Sequence, residues 1–423
     1  MVGMLMIGQL GEVSIAAVGL SNQVTFLFFL LMFGITSGAA IFTAQLWGKR
    51  DIAAIRRVLG LSLVLGLTGS LIFFCLVEFF PARILGIYTR DPRVIQVGVG
   101  YLRIFGWAYL FSATTTCFAA VLRSTGDVKT PLYVSIGALS LNMLLTYSLV
   151  FGKFGLPILG VEGAAISAMI ARIVECSALL TITYAKKAPM AARPSELFRF
   201  DKLFITQVLK PIIPVAMNEL LWSLGITTYN VVYARIGTES IAAMNIVGPI
   251  DNMAMVIFIS IANATAIMVG HQIGGGDEET AYQYAGKSLV LSFAGSMLIG
   301  IGLILGGRYL LIIYKVSFEV IQNAQRILLI LGIFFSVRMT NMMLFLGVLR
   351  SGGDTRYAFI LDAGIIWTVG VPLAFIGAFV FHLPIYWVYL LVMTDEVSKW
   401  IIGLHRYSTR KWIHNLASTV SQA

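Results

Sequence analysis

The chain carries a diverged copy of itself about 226 residues downstream, and the copied material is almost wholly apolar. Gly11-Glu-Val-Ser-Ile-Ala-Ala17 returns as Gly237-Thr-Glu-Ser-Ile-Ala-Ala243, and Leu122-Arg-Ser-Thr-Gly-Asp127 returns as Leu349-Arg-Ser-Gly-Gly-Asp354. The offsets of the two pairs, 226 and 227, differ by one residue. A register kept over so long a stretch implies two lobes of similar fold. In membranes, paired lobes of this kind commonly carry a transport cavity between them.

With 58% hydrophobic and 12% charged residues and a mean hydropathy of +0.88, the chain is too apolar for a soluble globule, in which about 25% of residues are charged. Its apolar runs exceed the roughly 20 residues that a helix needs to cross a bilayer, and they lack the alternation of barrel strands. The expected fold is an all-α membrane protein. Spans are expected at 15–47, 55–79, 94–121, 131–151, 161–184, 205–236, 240–270, 282–307, 324–348, 357–381 and 384–404. The net charge of +10 forms no stripe or arm of the kind that binds nucleic acid, since its basic residues sit singly or in pairs between spans. Cys75, Cys117 and Cys176 all fall in apolar runs without paired spacing and are read as small core residues.

Eleven spans leave Met1–Gly11 too short to cross, and the repeat register starts its helix about twenty residues before Met1. The expectation is therefore two parallel-repeat six-helix bundles, twelve transmembrane helices in all, with the first incomplete here. The lobes are 1–185 and 205–423, the latter with a short tail, and the polar, proline-containing stretch 186–204 is the linker between them. Of the 30 lysines and arginines, 19 fall on the side of the linker and tail and 9 on the other. The linker and both termini are then cytoplasmic in a multi-pass protein of the cell (inner) membrane.

Each copy of Leu-Arg-Ser-x-Gly-Asp closes a long helix. Glycine permits the left-handed turn, the basic residue suits the helix C-terminus, and Pro131 starts the next span in the first copy. A hairpin with an orientation anchor is the expected job. In order along the chain stand Gly8-Gln-Leu-Gly11, Ala16-Ala-Val-Gly-Leu20, Ala44-Gln-Leu-Trp-Gly48, Tyr101-Leu-Arg-Ile104, Leu122-Arg-Ser-Thr-Gly-Asp-Val-Lys-Thr-Pro131 and Gly160-Val-Glu-Gly-Ala-Ala165. This series resembles the multidrug and toxic compound extrusion (MATE) family over essentially the whole chain. The resemblance implies a twelve-helix exporter that alternates between inward and outward openings. It would exchange protons or sodium for small organic, often cationic, compounds, as a monomer in the lipid bilayer with no cofactor beyond the coupling ion.

An ionisable group at mid-bilayer is costly and marks a site. Glu219 lies about 21 Å into its helix and Asp251 about 17 Å into the next. Arg338 falls at comparable depth, and Asp362 lies nearer the cytoplasmic side. Either Arg338 pairs permanently with Glu219 or Asp251, or at least one of these carboxylates titrates and biases one conformation. The resemblance favours Glu219, because MATE proteins often place a glutamate in this helix shortly after a proline; sodium, if used, would sit at Glu219 and Asp251. Pro211 and Pro214 are read as bending a gating helix, and Asn218, Asn252 and Asn341 as polar lining or as helix-to-helix hydrogen bonds. The first-helix aspartate of many MATE proteins has no counterpart in 1–11, which places coupling in the C-terminal lobe.

Arg172 and Glu175 are expected to satisfy each other, and Gly34-x-x-x-Gly38 and Gly302-x-x-x-Gly306 to permit close packing. A lipid-linked saccharide flippase of related architecture is the alternative. It would need a large, often basic cavity, and only Arg172 and Arg338 are read as mid-span bases. An intramembrane enzyme is disfavoured, because all four histidines lie at or near span ends.

Overall fold

The computed structural model describes residues 6–312, 314 and 316–420; the first five residues of the piece read as too short to cross lie outside these. Every regular element among them is helical. Eleven helices are long: α1 Glu12–Gly48, α2 Ile52–Phe79, α3 Pro92–Ser124, α4 Lys129–Phe151, α5 Gly160–Ala185, α6 Lys202–Ile236, α7 Thr238–Gly275, α8 Glu278–Leu311, α9 Phe318–Leu349, α10 Thr355–Val380 and α11 Ile385–Ser408. Nine of them, among the described residues, are long and apolar enough to cross a membrane. The other two, α6 and α11, are more polar because they carry Asn218 and Glu219, and Asp395, Glu396 and Lys399.

The repeat governs where helices begin. The starts of α7, α8, α9 and α10 each lie 226 residues after those of α1, α2, α3 and α4, and that of α11 lies 225 after that of α5. The caps repeat as well. Asp51 accepts from Ala54 N at 3.0 Å to start α2, and Asp277 accepts from Thr280 N at 3.0 Å to start α8. These side chains satisfy an otherwise orphaned amide at the helix N-terminus. The hydrogen bonds to Thr280 also hold the Asp277 carboxyl below its ordinary range.

Both Leu-Arg-Ser copies close their helices in the same way. The amide of Asp127 donates to Leu122 O at 2.9 Å and that of Asp354 to Leu349 O at 3.0 Å, with Gly126 and Gly353 in the left-handed region at φ 93° and 82°. The hairpin is therefore as expected. Beyond the turn the copies part. Asp127 accepts from the Thr130 amide and hydroxyl, whereas Asp354 pairs with Arg406 at 2.7 Å.

The chain forms two compact units, residues 1–43 with 51–205, and residues 44–50 with 206–423. In the first, α3 packs against α2 and α5, and α4 lies on α5. The stretch after α5 packs within this unit too: Met190 and Leu197 are buried, and Arg56 bonds Pro189 O and Glu196 at 2.8 Å. In the second, α8 runs along α9. Their close approach is at Gly300 and Gly332, where a Cβ on either would strike the other's carbonyl. Nothing lies within 4 Å of a Cβ at Gly302 or Gly306, so the expected packing role moves to Gly300. Small residues matter here because helices in lipid associate through van der Waals contact rather than through exclusion of water.

The last turns of α1 group with the second unit. The Gln45 amide donates to Ser351 O at 2.9 Å and His414 O at 3.1 Å, and its oxygen accepts from Leu416 N at 2.7 Å. Trp412 is fully buried on Gly352.

Candidate functional site

A cavity of about 440 Å³ opens within the second unit, between α6, α7, α9, α10 and α11. Trp222, Tyr229, Tyr233 and Tyr389 form its aromatic wall, and Asp251, Arg338, Asp395, Glu396 and Lys399 bring charge to it. α10 is shaped for this site. Its segment Ile366–Gly370 is a π-turn, a widened winding often found where a helix serves a site. Ile366 lines the cavity. A Cβ at Gly370 would stand on the Tyr229 hydroxyl and 2.9 Å from Asp395 Oδ2, so only glycine leaves room for the 3.0 Å hydrogen bond from Tyr229 to Asp395.

Two ion-paired clusters result. In the first, one nitrogen of Arg338 bonds both oxygens of Asp251, at 2.9 and 3.0 Å. The second centres on Lys399, which is 1% exposed, and its ammonium lies 3.3 Å from Asp362, 3.5 Å from Asp395 and 3.9 Å from Glu396. Each acid also has a neutral donor. Asn218 donates to Asp362 at 2.9 Å, Tyr229 to Asp395 at 3.0 Å, and Asn341 to Glu396 at 2.7 Å. Among the described residues no group of histidine, cysteine and acidic side chains has the arrangement to hold a metal ion.

The expected site residues are only partly brought together. Of the two partners offered for Arg338, the structure selects Asp251. Glu219 does not line the cavity. It pairs instead with Arg350 of the second Leu-Arg-Ser copy at 2.7 Å, both side chains being largely buried. Asp362 joins the Lys399 cluster. Asn218 and Asn341 are helix-to-helix hydrogen bonds to acids, while Asn252 is exposed and lines the cavity. Pro211 and Pro214 lie inside α6, which runs unbroken as one helix through both. In the first unit Arg172 and Glu175 do satisfy each other, at 2.6 Å.

Three charged side chains of the cavity escaped the sequence reading: Asp395, Glu396 and Lys399. The statement that Arg172 and Arg338 are the only mid-span bases is corrected by Lys399. Near a span end a lysine reads as one that reaches out to the headgroups. The available signal was Asp395-Glu396-x-x-Lys399 itself, whose three- and four-residue spacings put both acids and the base on one helix face.

These features define a helical transporter of the membrane. The sequence profile of the MatE family matches residues 1–148 and 214–376, and the chain belongs to that family. It is 30% identical over 387 residues to a probable multidrug resistance protein NorM of Rhizobium meliloti, covering 89% of this chain and 81% of that one. It is 26% identical over 411 residues to YisQ, an uncharacterised transporter of Bacillus subtilis, covering 97% and 90%. Among solved structures, the Vibrio cholerae MATE transporter VcmN in the bent form is similar with a TM-score of 0.85 and 19% identity over 99% of this chain and 92% of that one.

Proposed function

We propose that this protein is a secondary active antiporter that exports organic cations by alternating access, in exchange for H+ or Na+. The second unit's cavity is its substrate and coupling site. The observation that carries the reading is the lining: four aromatic rings beside three acids, against two bases. Aromatic faces and carboxylates attract an amphiphilic cation, and the flexible side chains of Met244 and Met255 suit varied shapes. The acid excess also favours this reading over the saccharide flippase, which calls for a basic cavity.

The coupling ion is handled by the carboxylates around Lys399, Asp362 among them. Asp251 and Arg338 form a second charged pair in the same cavity. Glu219, the first choice from sequence, acts through Arg350 as a positioning residue, and α6 with Pro211 and Pro214 is the element that flexes. The linker and both termini face the cytoplasm. The NorM relatives, named as probable multidrug resistance proteins, support drug-like organic cargo.

The test is efflux of a cationic dye from cells and from proteoliposomes with an imposed ion gradient. Gradient-driven efflux that Asp395→Asn abolishes supports the reading; dye movement indistinguishable from empty liposomes refutes it.

A further inference from the structure

We propose that Lys399 is a built-in counter-ion that occupies the place of a metal cation among Asp362, Asp395 and Glu396, and so makes the site select protons over sodium. The inference rests on the exchanger reading above and adds the identity of its coupling ion.

The Lys399 ammonium is 3.3, 3.5 and 3.9 Å from one oxygen of each acid, near all three and in short contact with none. The ion pairs of Glu219 and Asp251, at 2.7 and 2.9 Å, are tighter. A bare cation that uses all three oxygens must sit between them, with the carboxylates drawn in from these distances to its own bonding range. Sodium has nearly the size of calcium, which takes oxygen ligands at about 2.3–2.6 Å. It cannot share that space with an ammonium. Nor is the ammonium easily expelled, because Lys399 stands one turn from Asp395 and Glu396 on the same helix, and a displaced, buried, unpaired charge is strongly disfavoured.

A proton needs no such space. Three carboxylates face one ammonium, so the cluster carries excess negative charge. Oxygens lack donors at the same place: Asp395 Oδ1, Asn218 Oδ1 and Asn341 Oδ1 are buried with no hydrogen-bond partner among the described residues. Asn218 is itself bonded to Asp362, and Asn341 to Glu396. A proton arriving from water forms one O–H bond with a lone pair of Asp395 Oδ1 and removes one negative charge. When the cavity opens to the other side, the same bond breaks and the proton returns to water; nothing is oxidised or reduced. The groups that set its release are Tyr229 and Tyr233 from α6, Asp362 from α10, and Glu396 and Lys399 on the same helix. Asp251 from α7, Arg338 from α9 and Tyr389 line the same cavity.

Two measurements on the full chain test the proposal. In proteoliposomes holding ethidium, a pH gradient is expected to drive efflux, and a sodium gradient at equal pH is not. Sodium-driven efflux by the wild type overturns the inference while leaving the exchanger reading intact; movement under neither gradient refutes that reading. Thermal unfolding of purified protein in sodium chloride against choline chloride decides the ion independently of transport. The wild type and Lys399→Arg are expected to show no sodium-specific shift. Lys399→Gln is expected to gain one, because removing the adjacent like charge strengthens cation binding among the three carboxylates. Sodium-specific stabilisation of the wild type, or its absence in a folded Lys399→Gln protein, overturns the inference.

Discussion

At Gly370 a single methyl group would occupy the position of the Tyr229 hydroxyl. Gly370→Ala is therefore expected to break the Tyr229 to Asp395 hydrogen bond and to cost about 1–3 kcal/mol through overpacking. Efflux should fall sharply while the protein still inserts; dye efflux measured at matched membrane levels checks this, and wild-type rates would contradict it. The Glu219 and Arg350 pair makes a second residue-scale prediction. Glu219→Gln alone should abolish export, because it leaves a buried guanidinium unpaired, a change typically worth about 3–5 kcal/mol. Glu219→Gln with Arg350→Gln should recover efflux, since the pair positions helices and does not carry the ion. If the double variant stays inactive in folded protein, Glu219 belongs in the coupling step. Neither contact could be read from the sequence, because each depends on how a helix is rotated about its own axis against a partner distant in the chain.

The Leu-Arg-Ser hairpins were legible element by element, because their chemistry is local: each copy announces a stop wherever the rest of the chain goes. The caps at Asp51 and Asp277 were not read, although their side chains start α2 and α8. The eleven expected spans meet α1 to α11 within a few residues at most ends. What escaped is the role of the charges on α11, Asp395, Glu396 and Lys399, which sit close enough to the tail to pass for ones that reach the headgroups. The end of α1 escaped as well. Gln45, quoted only as part of a motif, proves to be the anchor of the C-terminal segment through Ser351, His414 and Leu416. At about 1 kcal/mol for each hydrogen bond, Gln45→Ala should loosen residues 412–420 by a few kcal/mol. Limited proteolysis of the purified protein should then cut that segment faster than in the wild type, and an unchanged digestion rate would show that Trp412 burial alone holds it.

For the whole molecule, duplication has preserved helix starts, caps and turns in both units, while the charged chemistry differs between them. Arg123 of the first copy is exposed, whereas Arg350 of the second is buried against Glu219. The first unit's Arg172 and Glu175 close on each other, while the second gathers four acids and two bases in and around one cavity. A fold present twice, with the proposed site in one copy, accounts for both the legible repeat and the cavity that the repeat alone does not reveal. The Asp251 and Arg338 pair offers a control at this scale. Asp251→Asn with Arg338→Gln should retain the wild-type unfolding temperature within a few degrees, because no charge is stranded, yet slow efflux of cationic dyes by on the order of tenfold.

The most direct test of the account is pH-gradient-driven dye efflux by Asp395→Asn in proteoliposomes, with dye binding measured on the same preparation. The carboxylates around Lys399 are expected to be indispensable for coupling, so efflux should fall to the level of empty liposomes while dye binding persists. Wild-type efflux by this variant would contradict the account.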